Sequence, residues 1–152
     1  MKNIPYFPLF IPLQGKKFLL YGAGTVGQRR IASLLPFAPQ LTVIATQISP
    51  QLREKYATKS ICWQEKEYTP GEINGYDFVL AATSQTTVNH AIYQECKEKK
   101  IPVNNASCQE ECDFFFPSII QKEEITIGLC SGGQNHRKVR QTAADLRNII
   151  TD

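Results

Sequence analysis

The sequence lacks any apolar run that approaches the roughly 20 residues needed to cross a membrane. Its opening segment is apolar, but Pro5, Pro8 and Pro12 interrupt it and no small-residue cleavage site follows, so we expect no secretory signal. Disulfide pairing is not expected either, because the five cysteines are odd in number and widely spread. These absences predict a cytoplasmic protein with reduced thiols and no membrane partner.

Acidic residues are missing from the first third of the chain, since the first of them is Glu54. Residues 1–53 nevertheless contain six basic residues, Lys2, Lys16, Lys17, Arg29, Arg30 and Arg53. This imbalance suits an anionic ligand, although such charges are also typical of an ordinary solvated surface. Nucleic acid is not expected as a partner, because there is no dense basic run and the isoelectric point of about 8.6 is below that of typical nucleic-acid-binding domains.

The first two thirds of the chain alternate between strand and helix patterns. Strands are predicted at 17–22, 41–46, 61–63, 76–82 and 101–104, with helices at 25–35, 50–57 and 86–100. Ser49 followed by Pro50 predicts a capped helix start. The alternation indicates an α/β fold, a Rossmann-type parallel sheet covered by helices on both faces.

The pattern changes near residue 112. Two strands, 114–120 and 125–131, surround a polar turn, and a final helix is predicted over 136–150. We therefore divide the chain into a dinucleotide-binding domain, 1–112, and a hairpin-plus-helix module, 113–152. Three adjacent phenylalanines, Phe114 to Phe116, cannot all face the core of so small a module, which predicts a subunit interface and a homodimer.

A glycine-rich loop lies between the first strand and the first helix. Residues 22–27 read Gly-Ala-Gly-Thr-Val-Gly and match G-x-G-x-x-G in the strand-to-helix context that a dinucleotide site requires. Gly22 would make the tight turn and Gly24 would let a pyrophosphate approach, while the amides of Thr25 and Val26 would receive its charge. The alternative is a glycine-rich turn that binds no ligand.

The acidic residue that commonly holds the adenosine ribose is missing from the end of the second strand. Residues 45–47 read Ala-Thr-Gln, so Thr46 is the candidate for this contact, and the spacing does not choose between NAD and NADP. The following strands end in Ala82, Thr83 and Asn104, which are candidates for the nicotinamide ribose. Ordinary strand-end chemistry explains these three residues equally well.

Two further groups of residues have other interpretations. Cys108, Cys112 and His136 supply only three ligands with unsuitable cysteine spacing, so we assign no metal site. The acidic residues Glu110, Glu111 and Asp113 are typical of a helix N-terminus. His136 follows a glycine-rich break and is a candidate for proton transfer, with a capping role as the alternative.

Several segments together resemble one known family. These are Tyr-Phe-Pro-Leu-Phe-Ile at 6–11, Ala-Ala-Thr at 81–83, Val-Asn at 103–104, Cys-Asp-Phe-Phe-Phe-Pro-Ser at 112–118 and Ser-Gly-Gly at 131–133. In this order they are similar to the precorrin-2 dehydrogenase family, which is also the N-terminal module of siroheme synthase. The resemblance spans almost the whole chain.

The resemblance implies an NAD-dependent dehydrogenase that oxidises precorrin-2, a tetrapyrrole with many carboxylates, to sirohydrochlorin. Some family members also insert ferrous iron, and members are dimers joined through strands that correspond to 114–131. Ser107 stands where the family carries an aspartate with roles in both reactions, so it is a catalytic candidate beside His136, which is selected for its position after the glycine-rich break. Members continue into a further helical region, so we expect module 113–152 to be shorter than theirs. A non-catalytic NAD- or tetrapyrrole-binding partner protein is the alternative.

Overall fold

The computed structural model describes residues 6–150, which form two compact units. Residues 1–5 and 151–152, which the predicted domain division includes, lie outside the described residues. The larger unit, Pro12–Phe114, contains β1 (Lys17–Tyr21), α1 (Thr25–Leu34), β2 (Gln40–Ile44), α2 (Pro50–Ala57), β3 (Cys62–Gln64), β4 (Phe78–Ala81), α3 (Thr86–Lys99) and β5 (Val103–Asn105). The smaller unit joins residues 6–11 to the chain from Phe115 onward and contains β6 (Ser118–Lys122), β7 (Ile125–Leu129) and α4 (His136–Ile150).

The larger unit is built on a five-stranded sheet with the order β3-β2-β1-β4-β5. All neighbouring strands are parallel, and Leu20 of the central strand β1 pairs with Val43 on one side and Leu80 on the other. The strand order reverses at β1, which makes the carboxyl ends of β1 and β4 the edge where ligands bind in such sheets. The predicted Rossmann-type α/β fold is confirmed.

The core of this unit lies around the central strands. Leu19 and Tyr21 of β1 are fully buried, and Ile92 and Cys96 of α3 belong to the same buried cluster. A strand with neighbours on both sides and helices on both faces must be apolar along its whole length, which explains the continuous run at 18–21. Burial raises the pKa of the Cys96 thiol to about 12, so this cysteine remains protonated in the core.

Helix boundaries agree closely with the predictions where the signals are local. Helix α2 begins at Pro50 as predicted, because the Ser49 hydroxyl accepts a hydrogen bond from the backbone N–H of Leu52 at 3.3 Å. Helix α1 ends at Leu34, and Leu35–Phe37 continues as a short 3-10 turn that contains Pro36. All five cysteines are free thiols, as the sequence predicted.

The predicted start of the hairpin is wrong. Strand β6 begins at Ser118 rather than at residue 114, immediately after Pro117, which has no N–H to donate to a neighbouring strand. Phe114 and Phe115 precede the strand and lie in different units. Phe114 packs edge-on against Phe78 with ring centroids 5.6 Å apart, and Phe115 packs edge-on against Tyr6 at 5.0 Å.

The smaller unit consists of the antiparallel hairpin β6–β7 and helix α4. Lys122 pairs with Ile125 across the turn, and the buried side chains of Ile120 and Ala143 form its small core. The guanidinium of Arg147 donates to the carbonyl of Ile119 at 3.3 Å, which ties the helix to the hairpin. Over residues 6–150, no helix combines the length and the apolar composition required to cross a membrane.

Candidate functional site

A cleft of about 870 Å³ opens at the carboxyl edge of the parallel sheet. Its lining comes from the ends of β1, β2 and β4 and from the chain after β3. The structure brings seven of the eight predicted cofactor-binding residues to this cleft: Gly22, Gly24, Thr25, Val26, Thr46, Ala82 and Thr83. The size is suitable for an extended organic cofactor.

The three glycines of the loop meet different surroundings. A Cβ atom on Gly22, whose φ is +92°, would lie 2.3 Å from the carbonyl oxygen of Ala82. A Cβ atom on Gly27 would lie 2.2 Å from the carbonyl oxygen of Gly22, so both positions require glycine for packing. Apart from Gly24 itself and its two chain neighbours, a Cβ atom on Gly24 would meet no described atom within 4 Å. Gly24 therefore keeps open space in the cleft wall, which fits the close approach of a pyrophosphate.

Side chains hold this loop in place from behind. The Gln28 amide donates to the carbonyl of Ala23 at 3.2 Å, and its oxygen accepts from the Ser49 hydroxyl at 3.1 Å. Because Ser49 also caps α2, one hydroxyl connects the glycine loop to the chain after β2. The glycine loop and the chain after β2, which both line the cleft, are thus held together by these hydrogen bonds.

The chain after β3 supplies a wall that the sequence analysis missed. Lys66, Glu67 and Tyr68 line the cleft, and Lys66 is ion-paired with Glu72. The Tyr68 hydroxyl donates to Glu95 at 2.5 Å, and burial together with this carboxylate raises the pKa of Tyr68. The predicted parallel sheet could have indicated this wall, because the carboxyl end of β3 lies at the same edge of the sheet as that of β2.

Tyr21 is a further lining residue that the sequence analysis missed. Its ring packs edge-on against Tyr68 with centroids 5.2 Å apart, and burial raises the pKa of its hydroxyl, which therefore remains protonated. This buried hydroxyl has no hydrogen-bond partner among the residues that the structure describes. A buried donor without a partner at a cleft is a feature that a bound ligand would explain.

Thr83 is held by a buried asparagine that the sequence analysis did not single out. Asn89 accepts hydrogen bonds from the Thr83 backbone N–H at 3.0 Å and from the Thr83 hydroxyl at 2.7 Å. Its amide nitrogen donates to the Thr83 carbonyl at 3.1 Å and to the Ser107 hydroxyl at 3.2 Å. Asn89 therefore connects the predicted catalytic residue Ser107 to Thr83, which lines the cleft.

The other predicted site residues lie outside the cleft lining. The Asn104 amide donates to the carbonyl of Phe114 at 2.8 Å, so the structure uses this side chain inside the fold rather than toward a cofactor. His136 is the exposed first residue of α4, and the helix start is capped by Asn135, whose side chain accepts from the Lys138 N–H at 2.9 Å. The capping alternative for His136 is thus wrong.

The cysteine pair considered as metal ligands is engaged in other contacts. The Cys112 thiol donates to the carbonyls of Asn105 at 3.2 Å and Cys108 at 3.4 Å, and burial raises its pKa. Over the described ranges, no group of three or more histidine, cysteine, aspartate or glutamate side chains is placed to hold a metal ion.

Curated proteins of siroheme biosynthesis are similar to this chain. It is 39% identical over 144 residues to a protein of Ruminiclostridium josui named "Probable multifunctional siroheme biosynthesis protein HemA", covering 94% of this chain and 28% of that protein. It is 33% identical over 129 residues to a siroheme synthase of Photorhabdus laumondii, covering 85% of this chain and 27% of that protein. The chain thus spans just over a quarter of the length of these relatives.

A solved structure shares the fold. The protein titled "SirC, precorrin-2 dehydrogenase" superposes with a TM-score of 0.77 at 22% sequence identity, covering 94% of this chain and 70% of that one. This similarity covers both the sheet and the hairpin-plus-helix segment, and it supports the same architecture for both.

We expect Gly24→Val to fold normally but to bind NAD(H) at least about tenfold more weakly, which is ~1.4 kcal/mol. The valine would occupy the space that Gly24 keeps open. Calorimetric titration measures the affinity and thermal unfolding measures the stability. Gly27→Ala is the contrasting variant: its Cβ atom meets backbone, so the free energy of unfolding should fall by about 1–3 kcal/mol. Equal NAD(H) affinity in the parent and Gly24→Val would contradict the assignment.

The family comparison covers most of the chain. A family described as "Putative NAD(P)-binding" matches residues 9–118, which is more than half of the sequence and includes every residue found to line the cleft. The cofactor is accordingly a nicotinamide dinucleotide. The chain belongs to this NAD(P)-binding family, and its resemblance to the precorrin-2 dehydrogenases and siroheme synthases is confirmed.

Proposed function

We propose that this chain is an NAD-dependent dehydrogenase that oxidises precorrin-2 to sirohydrochlorin. The observation that carries the proposal is the cleft at the carboxyl edge of the sheet, in a chain whose relatives are siroheme biosynthesis proteins. The open space at Gly24 supports the fit of a dinucleotide to that cleft.

The predicted roles along the cleft follow from the strand order. Gly22 and Gly24, with the amides of Thr25 and Val26, would hold the pyrophosphate at the start of α1. Thr46 would contact the adenosine ribose, and Ala82 and Thr83 the nicotinamide ribose. When bound, the nicotinamide ring accepts a hydride.

The reaction needs a hydride acceptor and an exit for a proton. The macrocycle loses a hydride from carbon to the cofactor and a proton from nitrogen to water, so two electrons leave the substrate. We propose Ser107 and His136 as the catalytic residues of this reaction. Ser107 is exposed and connected to Thr83 through Asn89, which supports a role for it near the proposed nicotinamide end of the cleft. The His136 side chain is exposed to water.

The charge distribution suits a substrate with many carboxylates. The chain has no acidic residue before Glu54 but six basic residues, of which Lys2 alone lies outside the described residues. Positive potential raises the local concentration of a polyanion and speeds its association.

We propose NAD rather than NADP as the cofactor. Among the described residues that line the cleft, Lys66 is the only cation, and it is already ion-paired with Glu72. Arg53 is stacked over the Trp63 ring at 5.5 Å, away from the lining set. Glu67 adds a negative charge to the wall nearest the adenosine side, which disfavours a 2′-phosphate.

We propose a homodimer formed through module 113–152 together with residues 6–11, which share one compact unit with the chain from Phe115 onward. This unit exposes several large apolar side chains, including Phe7 at 87% and Ile149 at 71%. The others are Tyr6, Leu9, Phe10, Ile11 and Ile125. So much exposed apolar surface in so small a unit is typical of an interface rather than of a solvated face.

The parent protein should oxidise precorrin-2 when the two are incubated with NAD under anaerobic conditions. The spectrum of the macrocycle and the absorbance of NADH report the reaction, and Gly24→Val should lose it. Ferrous iron added afterwards tests metal insertion. Binding of NAD and of the tetrapyrrole without turnover would instead favour a non-catalytic binding partner protein of the pathway.

The preference for NAD should depend on Glu67. We expect NADP to bind at least about tenfold more weakly than NAD to the parent. Glu67→Gln should narrow this ratio about threefold at low salt and less at high salt, because added ions screen an exposed charge. Glu65→Gln is the matched control, since Glu65 is exposed but does not line the cleft. Equal ratios in all three proteins would refute the role of Glu67.

Light scattering should detect a dimer at micromolar concentration. Ile125→Glu places a charge on the exposed apolar surface of β7 and should weaken dimerisation at least about tenfold. Tyr56→Glu, which changes an exposed aromatic side chain of the other unit, should leave the dimer intact. A monomeric parent, or equal dimerisation of both variants, would reject this interface.

A further inference from the structure

Ser107 lies at the centre of a hydrogen-bond network at the carboxyl ends of β4 and β5. Its side chain is exposed, whereas the two asparagines that contact it, Asn89 and Asn105, are almost completely buried. The network fixes not only the position of the Ser107 hydroxyl but also the direction of its hydrogen bonds, as the following contacts establish.

The orientation of the Asn89 amide is determined by the backbone. The Thr83 N–H can only donate, so the Asn89 atom 3.0 Å from it must be the oxygen. The Thr83 carbonyl can only accept, so the Asn89 atom 3.1 Å from it must be the nitrogen. The same nitrogen lies 3.2 Å from the Ser107 oxygen and therefore donates to it.

The orientation of Asn105 is determined in the same way. Its Oδ1 atom accepts from the backbone N–H of Ser107 at 2.9 Å, and the Ser107 hydroxyl lies 2.7 Å from that oxygen. The hydroxyl must therefore donate its single proton to Asn105. The Asn105 nitrogen donates to Glu111 at 2.6 Å, which agrees with this orientation because a carboxylate accepts only.

These contacts leave the Ser107 hydroxyl with one unused hydrogen-bonding position, which is an acceptor lone pair. A hydroxyl has one donor proton and two acceptor lone pairs. Asn105 takes the proton and Asn89 occupies one lone pair, so the remaining lone pair belongs to the exposed side of the residue. Ser107 can accept a further hydrogen bond but cannot donate one without breaking the contact to Asn105.

We propose that the Ser107 hydroxyl accepts a hydrogen bond from a ring N–H of the tetrapyrrole substrate. This inference rests on the proposed function. The peripheral carboxylates of such a substrate are ionised near neutral pH and can only accept, whereas the ring N–H groups can donate. An acceptor-only hydroxyl therefore matches the centre of the macrocycle and does not match its periphery.

The contact would matter most while the hydride leaves. Loss of hydride from the macrocycle makes its N–H groups more acidic, so a hydrogen bond from N–H to Ser107 strengthens in the transition state. The N–H proton then leaves to water, and Ser107 keeps its own proton because the amide oxygen of Asn105 is too weak a base to take it. Ser107 thus polarises the N–H group and does not relay the proton.

Glu111 acts as a positioning residue. One of its carboxylate oxygens holds the Asn105 amide, and the other lies 2.5 Å from the His90 ring nitrogen. By fixing the Asn105 amide, Glu111 keeps the acceptor oxygen of Asn105 turned toward Ser107. Its effect on the substrate therefore passes entirely through the direction of one hydroxyl.

The test uses sirohydrochlorin and its nickel complex as matched ligands. Both carry the same ring and the same carboxylates, but nickel replaces the central N–H protons. In equilibrium titrations the parent should bind the free base about fivefold to tenfold more tightly than the nickel complex, the effect expected of one hydrogen bond. Ser107→Ala should remove this preference and Ser107→Thr, which keeps the hydroxyl, should retain it. Ser33→Ala is the control, because the Ser33 hydroxyl donates to the Arg29 carbonyl within α1.

Kinetic measurements on the Ser107→Ala variant distinguish this contact from a general structural role of Ser107. Ser107→Ala should lower kcat/KM for precorrin-2 about fivefold to tenfold while the Kd for NAD remains unchanged. A parent that shows no preference for the free base, or an undiminished preference in Ser107→Ala, would overturn the inference. A loss of NAD affinity in Ser107→Ala would also overturn it, because the N–H donor would then be the cofactor carboxamide. Absence of turnover in a parent that prefers the free base would overturn the dehydrogenase and leave this contact supported.

Discussion

The close approach of β1 and β4 at Gly22 is the constraint on which the site depends. Neither Gly22 nor Gly27 has room for a Cβ atom, because the carbonyls of Ala82 and Gly22 occupy that space. This contact brings the ends of the two central strands together and directs the start of α1 toward the cleft. Because of this geometry, the amides at the start of α1 and the ends of the strands face the same volume, and the open space at Gly24 can admit a ligand there.

A second constraint is the hydrogen bonding of two buried side-chain amides. Asn89 and Asn105 have almost no exposure, and an unsatisfied amide in such surroundings would be costly. Their hydrogen bonds tie Thr83, Ser107 and Glu111 into one network at the carboxyl ends of β4 and β5. The network therefore links Thr83, which lines the cleft, to Ser107, and these two are its only members that the sequence analysis selected as cofactor-binding or catalytic candidates.

The accuracy of the sequence analysis followed the range of the interactions involved. Helices α2 and α4 begin and end where predicted, because caps and apolar spacing act within a few residues. Strand β6 was predicted too early, because three phenylalanines resemble a strand although Pro117 delays pairing and Phe114 packs on Phe78 instead. Asn104 was assigned to the cleft from its place near a strand end, but its side chain binds the Phe114 carbonyl.

By itself the sequence determined the α/β alternation, the phosphate loop and the family resemblance, because each depends on residue types at fixed short spacings. Only the tertiary structure decided which distant residues meet. It brought Lys66, Glu67 and Tyr68 to the wall of the cleft, and it set the direction of the Ser107 hydrogen bonds. Parallel strands joined by helices bring together side chains that are far apart in the chain. A hydroxyl can donate or accept, so the direction of its hydrogen bonds is decided only by the donors and acceptors that the fold places beside it.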